Sequence, residues 1–201
     1  MRLPIVENDG SVRHERADAQ ENRTRILAAA RKLIEEKGPG FSMDELAARS
    51  GVGKGTLYRR FKDKADLCMA MLSDEAAALQ NEIMGAKHLA THRNPLSKIE
   101  WFLAENIRLH WPHVELLNSV ISDSHLHYSH PGFRWQVETL VMYLDEAVEA
   151  GDVKRHATHP LALVILSMQE PGLLSHLKQG GMTCSAAVSL IVGLSKAALR
   201  T

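Results

Sequence analysis

The chain has 201 residues, enough to bury a substantial core as one or two domains, with 24 Lys and Arg against 24 Asp and Glu. Its formal net charge of zero excludes a uniformly basic coat. Even an apolar run such as Leu161 to Leu166, which no other run exceeds, falls far short of the roughly 18 residues that span a bilayer. The charge is unevenly placed: residues 19–72 hold eleven Lys and Arg against seven Asp and Glu, whereas residues 73–201 hold ten against thirteen. A basic N-terminal module on an acidic body fits a protein that presents one end to phosphates. Cys68 and Cys184 lie far apart in the sequence without a C-x-x-C partner, so free buried thiols are expected rather than a disulfide or zinc site. The opening MRLPIVENDG has no apolar stretch of signal-peptide length, and a cytoplasmic location is expected, with no membrane contact.

Helical periodicity is nearly continuous and strand signals are scarce, so the fold class expected is all-α, with about nine helices. Residues 1–18 are polar and read as a flexible tail, in which Glu15 and Asp18 dilute Arg13 and Arg16. Asp18 and Glu21 have capping-box spacing and predict the start of a first helix that ends at Gly38-Pro39-Gly40. Its Ile26, Leu27, Ala30, Leu33 and Ile34 form one apolar stripe.

The stretch from Ser42 to Lys64, SMDELAARSGVGKGTLYRRFKDK, is the most informative. Ser42 and Glu45 form a second capping box, which predicts a helix starting at Met43. Ala47-x3-Gly51-x5-Leu57 supplies a small residue where two helices touch, a glycine at a sharp bend and an apolar plug beyond it. On the next helix Leu57 and Phe61 face inward and Arg59 points outward. Gly55, Thr56 and Lys62 flank Arg59, with Tyr58 and Arg60 at the edges. Arg suits a guanine edge, Thr, Tyr and Lys suit phosphates, and Gly55 leaves room for close approach. An ordinary solvated basic helix explains the face alone but not cap, turn and plug together.

A fourth helix is expected from Asp63 to about Ala86. Lys64 in its first turn opposes the usual preference for acids there, which makes sense if it meets a phosphate. Further helices are expected over 97–110, 112–123, 132–150, 160–178 and 184–199, with Pro171-Gly172 kinking or splitting the penultimate one. Leu161, Val164, Ile165 and Met168, then Ala187, Leu190, Ile191, Leu194 and Ala198, exceed what one intramolecular face needs. The surplus predicts a homodimer, as a two-fold DNA site also demands.

On these residues the chain resembles the tetracycline-repressor (TetR) family of bacterial transcriptional regulators. The resemblance runs through Arg25-Ile26-Leu27-x-Ala29-Ala30-x-x-Leu33, Gly38 and Phe41-Ser42-Met43-x-x-Leu46-Ala47. It continues through Ser50-Gly51-Val52-x-Lys54-Gly55-Thr56-Leu57-Tyr58-x-x-Phe61-x-x-Lys64-x-x-Leu67. Gly53, where the family often has a polar residue, and Leu46, where it usually has isoleucine, are small departures. The resemblance implies a helix-turn-helix domain over 19–72, then a helical ligand-binding and dimerisation domain over 73–201. It implies DNA contacts at Ser42, Lys54, Gly55, Thr56, Tyr58, Arg59, Arg60 and Lys64 on a palindromic double-stranded operator.

In the C-terminal part Trp101, Trp111, Phe133, Met142 and Tyr143 are the expected apolar lining for a small-molecule effector, with Glu105, His110 and Asn118 as polar partners. Gln136 and Glu170 are further polar candidates. His125-x-His127-x2-His130 has spacing compatible with a transition metal but only Asp123 beside it. A solvated histidine-rich loop competes with that reading; neither metal nor cofactor is expected, and the alternative function is a metal-responsive regulator or metal-dependent protein using His125, His127 and His130. No nucleophile elbow, phosphate loop or H-E-x-x-H motif is present, so an enzyme is not expected.

Overall fold

The computed structural model describes residues 10–85, 91–92, 94–120, 131–154 and 157–200. Among them every regular element is helical. The chain divides into two compact units, Met1–Leu67 and Cys68–Thr201. The division falls ahead of the 72–73 boundary expected from the sequence.

In the first unit, α1 spans Gly10–Lys37, a short 3₁₀ turn covers Gly38–Gly40, α2 spans Met43–Ser50 and α3 spans Lys54–Arg60. Helix α1 starts at Gly10, not at Asp18, so the Asp18–Glu21 spacing lies inside a helix and caps nothing. Half of the segment expected as a tail is therefore helical. The reason is legible in hindsight: between Gly10 and Gly38 there is neither Pro nor Gly, and the run is rich in Glu, Arg and Ala. The expected stripe is buried, with Ile26 and Ala30 fully enclosed and Leu27, Leu33 and Ile34 nearly so. It closes on Phe41, Leu46, Ala47, Leu57 and Phe61, all buried. At roughly 1.5–3 kcal/mol for each large side chain removed from water, this small core holds the three helices against one another.

Helix α4, Lys64–Ile83, is continuous across the division. The second unit continues with α5 (Pro95–His110), α6 (Val114–Val120), α7 (Pro131–Glu149), α8 (Thr158–Ser167), α9 (Pro171–Gln179) and α10 (Cys184–Arg200). Asn94 caps α5, its side chain accepting from the amides of Leu96 and Ser97 at 2.8 and 3.3 Å, with Pro95 at the first helical position. Pro171 splits the expected 160–178 helix into α8 and α9, since it cannot continue the hydrogen-bond ladder.

Two apolar clusters fill this unit. The larger gathers Leu79 and Ile83 of α4, Ile99, Phe102 and Leu103 of α5, Phe133, Leu140 and Tyr143 of α7, and Ile165 and Leu166 of α8. Phe102 meets Trp135 and Tyr143 edge-on at 5.8 and 5.9 Å. The smaller joins Ile107, Val114, Leu174, Ala187 and Ile191, from α5, α6, α9 and α10. Cys68 is buried and Cys184 half-buried, both as free thiols, and burial pushes the Cys68 thiol up to about 12. Among the described residues no helix is long and apolar enough to cross a membrane.

Candidate nucleic-acid interface and effector region

The corner between α2 and α3 is built by local hydrogen bonds. Ser42 Oγ accepts from the Glu45 amide at 3.1 Å, and the Ser42 amide donates to Glu45 Oε2 at 2.8 Å, closing the capping box at the predicted place. Lys37 donates to the same carboxylate at 2.6 Å. That lysine first, then the Ser42 amide, hold the Glu45 carboxyl below its ordinary value. Helix α2 ends at Gly51, whose φ of 64° lies in the left-handed region. Arg25 Nη2 donates to the carbonyls of Ser50 and Gly51 at 2.9 and 3.1 Å, fastening α1 to the bend. A Cβ on Gly51 would stand 2.7 Å from that guanidinium nitrogen, so a side chain there would displace Arg25 from the bend besides straining the backbone angle. Arg25 belongs to the quoted motif, yet its role at the bend is visible only in three dimensions.

Helix α3 then presents the predicted face. Leu57 and Phe61 are buried, while Lys54, Gly55, Tyr58, Arg59 and Arg60 are exposed and Thr56 is half-exposed. Arg59 has no partner among the described residues, whereas its neighbours are engaged. Lys54 Nζ lies 2.7 Å from Asp44 Oδ2, a hydrogen bond that holds its ammonium above the ordinary value. Arg60 Nη2 donates to the Ala19 carbonyl at 2.8 Å, tying α3 to α1. Lys64 Nζ donates to the Pro39 carbonyl at 2.7 Å and sits 5.0 Å from the centre of the Phe41 ring. Thus Arg60 and Lys64 have structural work in the first unit itself. A Cβ on Gly55 would meet nothing within 4 Å, so internal packing does not demand glycine there.

The residues expected to line an effector site are distributed over several helices of the second unit. Trp101 lines a groove of about 600 Å³ between α5 and α10, together with His92, Glu100, Arg108 and Lys196. Phe133 and Tyr143 are buried in the larger cluster, Met142 is exposed, and Trp111 packs against the smaller cluster. Glu105 pairs with Arg108, His110 is half-buried at the end of α5, and Asn118 is exposed on α6. Burial pushes the Tyr143 phenol up to about 12.

Three polar side chains escaped sequence reasoning: Asn106, His113 and Gln169 are 1%, 3% and 6% exposed. His113 Nε2 lies 3.1 and 3.2 Å from the two carboxylate oxygens of Glu75 on α4. A signal for Asn106 existed, since it interrupts the apolar stripe of Ile99, Phe102, Leu103 and Ile107. His125, His127 and His130 lie outside the described residues, and no metal-binding group of His, Cys, Asp or Glu occurs among the described residues.

The comparisons bear on the same segment. Residues 26–71 match the family model described as bacterial regulatory proteins, tetR family. An HTH-type transcriptional regulator of Staphylococcus aureus (strain USA300) is 56% identical over 54 residues, which is 26% of this chain and 29% of that relative. The chain thus aligns with less than a third of the length of the curated relatives it matches. A TetR/AcrR-family regulator from Thermobifida fusca YX-ER1 superposes with a TM-score of 0.65 at 20% identity, covering 90% of this chain and 100% of the other. FadR from Bacillus subtilis, in complex with stearoyl-CoA, superposes with a TM-score of 0.60 at 16% identity, covering 86% and 96%. At these identities the superpositions speak for the fold, while the matched segment carries the capped, glycine-turned corner described above. Over residues 26–71 the chain is similar to the tetR family of bacterial regulatory proteins.

Proposed function

We propose that the protein is a homodimeric one-component transcriptional regulator, a repressor that leaves a palindromic operator when a small organic molecule binds its second unit. The observation that carries this reading is the exposed α3 face: an arginine without a partner among the described residues, on a helix fixed by the Arg25–Gly51 clamp and the Ser42–Glu45 box. In this reading Arg59 reads a base edge, helped by Thr56. Ser42, Lys54, Tyr58 and Lys64 hold phosphates, Arg60 borders the groove, and Gly55 lets the backbone come close. The roles are compatible with the bonds already made. Ser42 keeps its hydroxyl proton for donation while its oxygen caps α2, and Lys64 keeps two ammonium protons beyond the one given to Pro39. Lys54 exchanges Asp44 for a phosphate.

The dimer reading is supported by large apolar side chains left in the open: Val164 is 64% exposed, Leu190 44% and Leu194 52%. Leu190 and Leu194 are one turn apart on α10 and form a row that a second copy would cover. An organic effector is supported by the apolar interior of the second unit and by the acyl-CoA complex of the Bacillus subtilis neighbour. Release follows if the effector tilts α4 and changes the spacing of the two α3 helices from one turn of DNA, about 34–36 Å.

The test is selection of binding sites from random duplex DNA. The expected product is an inverted repeat bound by two chains; a sequence without two-fold symmetry, or no enrichment, defeats the proposal.

A further inference from the structure

A buried amide or imidazole nitrogen without a hydrogen-bond partner is costly, and several of them in one neighbourhood call for a common partner. Asn106 has neither Nδ2 nor Oδ1 bonded to any described residue, Gln169 has neither Nε2 nor Oε1, and His113 has no partner at Nδ1. Each is more than nine-tenths buried. Their positions coincide with the seam between the two apolar clusters. On α5 the larger cluster ends with Phe102 and Leu103, the smaller begins with Ile107, and Asn106 lies between them. After α8 the larger cluster ends with Ile165 and Leu166, and the smaller takes up at Leu174 of α9. Met168 packs against both, with Gln169 next to it. His113 stands beside Val114, where α6 enters the smaller cluster.

The bonding capacity of these groups describes the guest. The Glu75 carboxylate only accepts, so in the neutral ring His113 Nε2 carries the hydrogen and Nδ1 is a bare acceptor. The two amides offer donors and acceptors side by side. A cation, which only donates, leaves Nδ2 and Nε2 unmet. An anion leaves Oδ1, Oε1 and His113 Nδ1 unmet and faces the charge of Glu75. A neutral amide, lactam or hydroxy compound matches all of them.

We propose that Asn106, His113 and Gln169 form one site for a neutral polar molecule carrying both donor and acceptor groups, and that the His113–Glu75 bond transmits its occupancy to α4. This deepens the effector reading above and rests on it. Glu75 lies within α4, the unbroken helix from Lys64 to Ile83, so a shift of the imidazole on binding loads that helix directly.

Four probes of one ring size test the class: benzamide, benzoate, benzylamine and toluene, titrated calorimetrically at millimolar concentration. Benzamide is expected to bind about tenfold or more tightly than the other three, the worth of one or two added hydrogen bonds. Asn106→Leu and Gln169→Met are expected to erase that preference and to raise the melting temperature, because each removes an unmet amide while keeping its volume. Hydrogen exchange of residues 68–83 is expected to change with benzamide in the wild type but not in Glu75→Ala.

Toluene binding as tightly as benzamide, or no binding by any probe, overturns the site and leaves ordered water as the partner of these amides. So does a lowered melting temperature in both variants. Unchanged exchange in α4 overturns the transmission. None of these measurements contains DNA, so their failure leaves the operator proposal standing, and failure of operator selection leaves them standing.

Discussion

The helix-turn-helix corner and the seam in the second unit handle polar groups in opposite ways. At the corner Arg25 closes on Ser50 and Gly51, Ser42 and Glu45 bind each other, and Lys54 rests on Asp44; Arg59 has no partner among the described residues, and it is exposed. At the seam the buried amides of Asn106 and Gln169 have no hydrogen-bond partner among the described residues. Water satisfies an exposed guanidinium at little cost, whereas a buried amide has no such recourse. The first arrangement keeps a fixed surface ready for a partner of fixed geometry. The second leaves bonding capacity in the interior, which the proposed site would offer to a guest.

The comparison can be broken most severely at the exposed apolar row. Leu194→Glu, alone or with Leu190→Glu, places a carboxylate in the proposed interface at a cost of about 3–5 kcal/mol and should give monomers. Sedimentation of a well-folded dimer with unchanged affinity would put the interface elsewhere. Next in size is Leu57→Ala, which empties a fully buried position and should destabilise the corner by about 2–5 kcal/mol. Because Trp101, Trp111 and Trp135 all lie in the second unit, the variant should lose helical circular dichroism before tryptophan fluorescence changes. Coincident transitions would mean that the two units unfold as one.

Smaller effects sharpen the account of the corner. Arg59→Ala should relax preference at one operator position by about 1–3 kcal/mol, read in a second round of site selection. An unchanged consensus would hand base reading to another side chain. Ser42→Ala removes the cap of α2 and should cost about 1 kcal/mol by denaturant titration at neutral pH. The cap also has a pH signature. The Glu45 carboxyl is held below its ordinary value by Lys37 and the Ser42 amide. Its contribution is therefore complete above the unfolded carboxyl value and lost as pH falls through the lower folded value. Glu45→Gln should be less stable than the wild type at neutral pH and converge with it in acid; a gap that stays constant would mean the charge plays no part.

The capping box, the Gly51 bend, the inward Leu57 and Phe61 and the break at Pro171 were all determined by the sequence itself. Each rests on residues within a few positions of one another, where spacing and geometry are nearly the same thing. The start of α1 was missed for the same local reason: a plausible cap at Asp18 hid a run that contains no breaker before Gly38. What only the tertiary structure decided are the meetings across distance. Composition placed Trp101, Phe133 and Tyr143 in one lining; packing decided that Phe133 and Tyr143 are buried with Phe102 while Trp101 packs against that cluster and also faces a groove. Arg60, at the edge of a helical wheel, and Lys64, in a helix's first turn, read as DNA contacts; only the structure adds that they also bond back to Ala19 and Pro39, residues remote in sequence. Asn106, His113 and Gln169 come from separate stretches, and their lack of partners follows from burial among neighbours that no spacing rule connects. Local hydrogen-bond geometry is written in adjacent residues; whether a polar group ends in water or inside depends on the whole chain closing around it.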